Sequence, residues 1–161
     1  MILILTLTAF VSAQLWEHNL LHGSMDGYLT YSEILREIGS LKKHYPNLVT
    51  LGVAGKTVDG EEINYIKIAS SESIKDSVGV LITASQDTRN PLASSFVLYA
   101  ANELCSASDK DLERYLLKTR VLYFFPVVNI YAYKRTEQAY KLTRKVPKYY
   151  KNHNTTACED V

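Results

Sequence analysis

Residues Val78–Thr83, VGVLIT, form a continuous apolar run without charge or alternation. Such a run is typical of a strand covered on both faces. A second run, Arg120–Val128, RVLYFFPVV, reads as the most buried strand of the chain. Two helical patterns lie between them. Leu92, Phe96, Tyr99, Ala100 and Leu104 recur at helical spacing over Leu92–Leu104. After a polar break at Ser106–Lys110, Asp111–Lys118 predicts a short helix with Leu112, Leu116 and Leu117 inward. Two apolar strands that flank helices restrict the chain to a sheet with helices packed on it.

The residues before Val78 extend that plan. Thr30-x-x-Glu33 is a capping box that opens a helix with the apolar stripe Ile34, Leu35, Ile38 and Leu41. Tyr45-Pro46 ends it, because proline disfavours helix in the residue before it. Leu48–Val53 and Ile63–Ile68 alternate as strands, and Asp59-Gly60 between them predicts a tight antiparallel hairpin. Ser70–Ser77 is a polar loop. From Asn129 on, the pattern dissolves into a loop rich in Lys, Arg and Tyr. The order helix, strand, strand, strand, helix, strand defines an α/β class with a mixed sheet. The loops Ala84–Asn90 and Asn129–Tyr149 follow strand C-termini on one edge, where such a sheet places its site.

A chain of 161 residues is enough for one domain with a sizeable core. The formal net charge of +1 gives no global signal for nucleic acid or an acidic membrane. The chain has twelve tyrosines, and seven of them crowd the C-terminal third, at Tyr115, Tyr123, Tyr131, Tyr133, Tyr140, Tyr149 and Tyr150. Core and strand tyrosines with a wet hydroxyl are the simplest account of them. Ile2–Phe10 is a short apolar run followed by Val11-Ser12-Ala13, the form of a secretory signal, although no Lys or Arg precedes it. The run is too short to span a membrane. The chain therefore divides into a signal peptide at 1–13, a leader at 14–27 and a domain at 28–161, and it is expected to be secreted. Asn154-Thr155-Thr156 is a glycosylation sequon. Cys105 and Cys158 allow one disulfide, and sequence does not decide whether they meet. His18 and His22 have helical spacing but no accompanying Glu, so they read as solvated.

Five segments in order, Tyr31–Pro46, Gly55–Ile63, Val80–Thr83 with the helix after it, Pro126–Tyr133 and Tyr149–His153, resemble the zinc-dependent carboxypeptidases of the carboxypeptidase A and B type, over a span from Tyr28 to about Asn152. Tyr31–Pro46 is similar to the family's opening helix. Gly55–Ile63, GKTVDGEEI, resembles its Gly-x-Ser-x-Glu-Gly-Arg-x-Ile turn, with Thr57 and Asp59 as replacements. Val80–Thr83 and the following helix resemble the elements around the family's metal loop. Pro126–Tyr133, PVVNIYAY, resembles Pro-x-x-Asn-Pro-Asp-Gly-Tyr and keeps Pro126, Asn129 and Tyr133. Tyr149–His153, YYKNH, resembles Trp-Arg-Lys-Asn-Arg and keeps Lys151 and Asn152.

The resemblance implies a truncated version of the zinc carboxypeptidase fold and, in the family, proteolysis from the C-terminus. That chemistry needs three zinc ligands, a general-base glutamate and an arginine for the oxyanion. The family's His-x-x-Glu pair falls on Asp87 and Asn90, and a neutral amide is a poor zinc ligand. The oxyanion arginine falls on Tyr150, while Arg89 keeps a substrate-side arginine. The remaining ligand, the carboxylate clamp and the general base fall beyond Val161. The resemblance thus implies no catalytic residue, no metal site at Asp87 and Asn90, no zinc cofactor, and Arg89 as the one substrate-binding position. Peptide or protein C-termini are the implied partners. Three readings stay open: an inactive family member, part of an active or divergent carboxypeptidase, and a secreted peptide-binding module. In the resembled fold the sheet continues past Val78–Thr83. That strand is then an open edge here, available to a partner or to self-association, and the region after Asn129 is expected to be loosely ordered.

Overall fold

A computed structural model of the chain describes residues 22–70 and 77–146. The signal segment, His18, Tyr149–His153, the Asn154 sequon and Cys158 lie outside the described residues.

Helix α1, Tyr31–His44, begins at the capping box. The Glu33 N–H donates to the Thr30 hydroxyl at 3.4 Å, and the Thr30 N–H donates to the Glu33 carboxylate at 2.7 Å. The Ser24 N–H also donates to that carboxylate, at 3.2 Å from each oxygen. These bonds supply donors and acceptors that a helix start otherwise leaves unpaired. Ile34, Ile38 and Leu41 are buried, and the helix stops one residue before Tyr45-Pro46.

Strands β1, Val49–Lys56, and β2, Glu62–Ile68, form the expected hairpin. Gly60 takes φ +82° in its turn, a backbone region open to glycine without a steric penalty. The register slips between Val53 and Gly55. The chain continues with β3, Val78–Thr83, α2, Leu92–Ser106, α3, Asp111–Thr119, β4, Arg120–Phe125, and α4, Ile130–Thr143. The strand order is β1-β2-β4-β3. β4 pairs antiparallel with β2 and parallel with β3, so the sheet is mixed, as expected.

One face of this sheet carries Val49, Ile66, Ile68, Leu122 and Phe124, all buried. They share a core with Ile34, Ile38 and Leu41 of α1 and with Val97, Leu98, Ala101 and Cys105 of α2. Leu117 of α3 and Ile130 and Tyr133 of α4 complete it. On the other face an aromatic row crosses the strands. Tyr65 stacks on Phe125 with ring centroids 5.3 Å apart and tilts against Tyr123 at 5.8 Å. Its ring lies over Gly52, where an added Cβ would come within 2.4 Å of it. Glycine is therefore required at that position by close approach.

Several expectations are corrected. β3 is not covered on both faces: Val78 is 61% and Leu81 66% exposed, because β3 is an edge strand. Its apolar residues fit a half-buried surface, with Val80 and Ile82 packed against the core and Leu81 exposed. In α3 only Leu117 is buried, while Leu112 is 68% exposed, since this short helix meets the core at one position. In α2 the outward side includes Leu92 and Phe96 of the apolar set, and the small residues Ser94, Ala101 and Cys105 face inward.

The largest correction concerns the region after Asn129. It is not a loosely ordered loop over 130–143 but helix α4, with Ile130, Ala132, Tyr133 and Thr136 buried. The Asn129 side chain caps it by accepting from the Ala132 N–H at 3.1 Å. The inward spacing Ile130, Tyr133, Thr136 is helical, but it is spelled with a tyrosine and a threonine rather than aliphatic residues.

Glu33 provides a test of the α1 cap. Burial pushes its carboxyl up, but the hydrogen bonds from Thr30 and Ser24 outweigh burial and hold it at about 2. A carboxyl depressed in the fold contributes stability above its unfolded value of about 4.3, and that contribution is lost as pH falls toward 2. Glu33→Ala is expected to cost about 1–2 kcal/mol at pH 7. In urea titrations at a series of pH values, the gap between parent and variant should close between pH 4 and pH 2. A gap independent of pH would contradict this account.

Candidate functional site

β3 delivers the chain into Ala84–Asn90 at the end of the sheet, and β4 delivers Pro126–Asn129 beside it. The two segments remain bonded past the last sheet pair. The Ala84 N–H donates to Phe125 O at 2.8 Å, Val128 N–H to Ala84 O at 3.2 Å, and Asn129 N–H to Ser85 O at 3.2 Å. Ser85 takes φ +52°, a sparsely populated conformation for a residue with a side chain. Its hydroxyl lies 2.6 Å from the Ser94 hydroxyl, and the Ser94 hydroxyl donates to Pro126 O at 2.7 Å. This buried relay holds the turn against the start of α2 and the end of β4.

Thr88 fixes the middle of the loop. It is 1% exposed, and its hydroxyl meets that of Thr136 in α4 at 3.1 Å. With Thr88 facing inward, its neighbours Asp87, Arg89 and Asn90 face solvent. Asp87 and Arg89 then fold onto each other. The Arg89 Nε donates to both Asp87 oxygens at 2.8 and 2.9 Å, its Nη2 donates to Oδ2, and its backbone N–H donates to Oδ1 at 3.1 Å. These bonds from the Arg89 side chain, then from its backbone, hold the Asp87 carboxyl at about 2. Asn90 uses its Oδ1 to accept the Leu92 N–H at 3.2 Å, a local bond at the start of α2.

A family-type zinc site fails on this geometry. The Asp87 carboxylate is already engaged by the Arg89 guanidinium, and the Asn90 carbonyl oxygen is a neutral donor engaged with backbone. Among the described residues, no group of three or more His, Cys, Asp or Glu side chains converges. His22 is exposed and Cys105 is buried in the core, where burial pushes its thiol up to about 12.

Sequence reasoning placed Asp87, Arg89 and Asn90 on one loop, and the structure does so. It did not find Ser85, Ser94, Thr88 or Thr136, whose small hydroxyls carry no periodic signal. Asn129, retained within the Pro-x-x-Asn pattern, proves to join the two segments. Its Nδ2 donates to Gln86 O at 3.5 Å while its Oδ1 caps α4. A Lys56–Thr57–Asp59 rim, with Gln86, Asn129 and Tyr131, bounds an open hollow of about 510 Å³ beside the loop. No helix among the described residues is long and apolar enough to cross a membrane.

Comparison with known proteins agrees with this architecture. The zinc carboxypeptidase profile matches residues 34–161. Thrombin-activatable fibrinolysis inhibitor superposes with a TM-score of 0.67 at 21% identity, over 83% of this chain and 33% of that one. The bovine form of that protein, solved with tick carboxypeptidase inhibitor, gives 0.62 at 21% identity, over 84% and 42%. Carboxypeptidase A from Helicoverpa armigera gives 0.59 at 24% identity, over 79% and 34%. The chain thus spans about a third to two fifths of the length of these solved structures, and at such identities the likeness is one of fold. With most of its length matched by the profile and its mixed sheet and helices superposing on these enzymes' fold, the chain belongs to the zinc carboxypeptidase family.

Proposed function

We propose that this chain is a secreted member of the zinc carboxypeptidase family that does not catalyse peptide hydrolysis. The observation that carries the proposal is the internal engagement of the Ala84–Asn90 loop. Asp87 is bound by Arg89, Asn90 by the α2 backbone, and Thr88 by Thr136. Each polar group at the position of the family's first two metal ligands has a structural partner. The same ion pair bears on Arg89. To meet a substrate carboxylate it must leave Asp87, so a role in substrate binding competes with an intraloop contact of charge-assisted strength. The family's hydrolytic chemistry has no seat in this loop. Metal-assisted attack requires a water activated by the ion, and oxyanion stabilisation requires a fixed positive donor.

Elemental analysis of the purified chain at neutral pH is expected to find zinc far below one equivalent. Release of C-terminal residues from free peptides, with zinc added, is expected to stay at background. Loss of one oxyanion donor alone costs on the order of 10²-fold or more. Stoichiometric zinc removable by chelator, or metal-dependent release that Asp87→Ala abolishes, would overturn the proposal.

Export rests on the apolar Ile2–Phe10 run with its small-residue cleavage pattern and on the Asn154 sequon. Expression in a secretory host should yield a chain that starts near Gln14 and carries glycan at Asn154. An intact Met1 on an unmodified intracellular protein, measured by mass spectrometry, would refute it.

A further inference from the structure

Residues Gly23–Tyr28 close into a tight turn just before α1. The Gly23 and Gly27 N–H groups each donate to the other's carbonyl at 3.1 Å, and Met25 and Tyr28 exchange the same pair of bonds at 3.1 and 3.0 Å. Asp26 and Gly27 form the exposed tip, with φ +50° and +94°, while Met25 behind them is buried. The tip is bound to the far end of α4. Asp26 accepts the Tyr140 hydroxyl at 3.0 Å and Arg144 Nη1 at 3.2 and 3.3 Å. The Tyr28 and Tyr140 rings meet edge to face, with centroids 6.4 Å apart. Nearer the start of the helix, Tyr133 donates to the Leu29 carbonyl and Glu137 accepts the Tyr31 N–H. Tyr133, Glu137, Tyr140 and Arg144 follow one another at helical spacing, so one stripe of α4 holds the whole run from Asp26 to Tyr31. Asn129 and Thr136 lie on the adjoining row, and they hold Gln86 and Thr88 of the Ala84–Asn90 loop.

We propose that the Gly23–Tyr28 turn is a strap whose docking on α4 controls the order of the Ala84–Asn90 loop. With the strap docked, α4 is fixed along its length and presents Thr136 and Asn129 to the loop. With the strap released, the far half of α4 loses Asp26 and Tyr28, and the row that anchors the loop is no longer held in place. Strap, α4 and loop then open as one unit, while the β1–β2 hairpin stays closed.

The strength of the contacts sets which end opens first. The Asp26 and Arg144 side chains are 59% and 67% exposed, and an ion pair in such a place is individually weak. The Thr88–Thr136 contact at the other end is buried, and separating it leaves two hydroxyls without partners. The strap is therefore the side of α4 that releases at small cost, and the loop is the side that cannot move until the helix does. A rigid helix bonded on adjoining rows to both segments is the physical element that both bias. The coupling does not depend on what the loop binds, so it stands apart from the catalytic reading above.

The test is amide hydrogen exchange of the full chain, read residue by residue by NMR. The Val128 and Asn129 N–H groups, bonded to Ala84 O and Ser85 O, report on the loop, and the Gly27 and Tyr28 N–H groups report on the strap. Asp26→Ala removes the acceptor of Tyr140 and Arg144 and should speed exchange at Val128 and Asn129 by about 10-fold. Tyr140→Phe removes one hydroxyl and leaves the turn itself intact; it should speed the same two amides by about 3-fold, and it decides the matter if Asp26→Ala fails to fold. Coupling between two segments is reciprocal, so Thr136→Val should speed Gly27 and Tyr28 by about 10-fold although it touches neither. The Thr57 N–H, bonded to Glu61 O between β1 and β2, should keep the parent rate in all three variants. Loop amides that keep the parent rate when the strap is weakened, strap amides that keep it in Thr136→Val, or a rise at Thr57 as large as that at the reporters would each overturn the proposal.

Discussion

The buried hydroxyl of Tyr133 donates to the Leu29 carbonyl at 2.7 Å, across 104 positions of sequence. This bond fixes α4 against the entry to α1. A second link reinforces it, since Glu137 one turn further along α4 accepts the Tyr31 N–H at 3.0 Å. The start of α1 is thus held from two directions, by its own capping box and by α4. Burial pushes the Tyr133 phenol well above its ordinary range, so the group stays a neutral donor at any physiological pH. Without α4 in place, the Leu29 carbonyl would be buried without its partner, a loss comparable to or larger than the net worth of the bond.

The same helix anchors the Ala84–Asn90 loop. Thr136 sits one turn from Tyr133 and holds Thr88. Asn129 at the head of α4 holds Gln86. A loop anchored at alternate positions presents the intervening side chains to solvent, where Asp87 and Arg89 neutralise each other. In a metal site the same presentation would aim ligands at an ion. Here Arg89 engages the Asp87 carboxylate, and Asn90 accepts from the backbone at the start of α2.

The sheet divides the molecule unevenly. Its core face is covered by four helices that share one cluster of aliphatic residues. Its other face carries the row of Tyr65, Tyr123 and Phe125, whose rings cover one another and Gly52. On β3, Val78 and Leu81 are exposed among the described residues.

Much of the fold was legible in the sequence because it was local. The capping box at Thr30 and Glu33, the stop before Pro46, the Asp59-Gly60 turn and the runs of β3 and β4 each depend on neighbours within one turn or one strand. The resemblance carried by Gly55–Ile63 and Pro126–Tyr133 supplied the family. The sequence also determined that this loop holds Asp87 and Asn90, and no folding can turn a carboxylate into an imidazole or an amide into a carboxylate. Tertiary structure decided what those residues do instead. It also decided that α4 is a helix and that Leu112 and Phe96 face outward. Those outcomes depend on which surfaces meet across the sheet. A tyrosine or threonine in sequence has no fixed side, and only the Leu29 carbonyl and the Thr88 hydroxyl, brought near from distant positions, make Tyr133 and Thr136 part of the core.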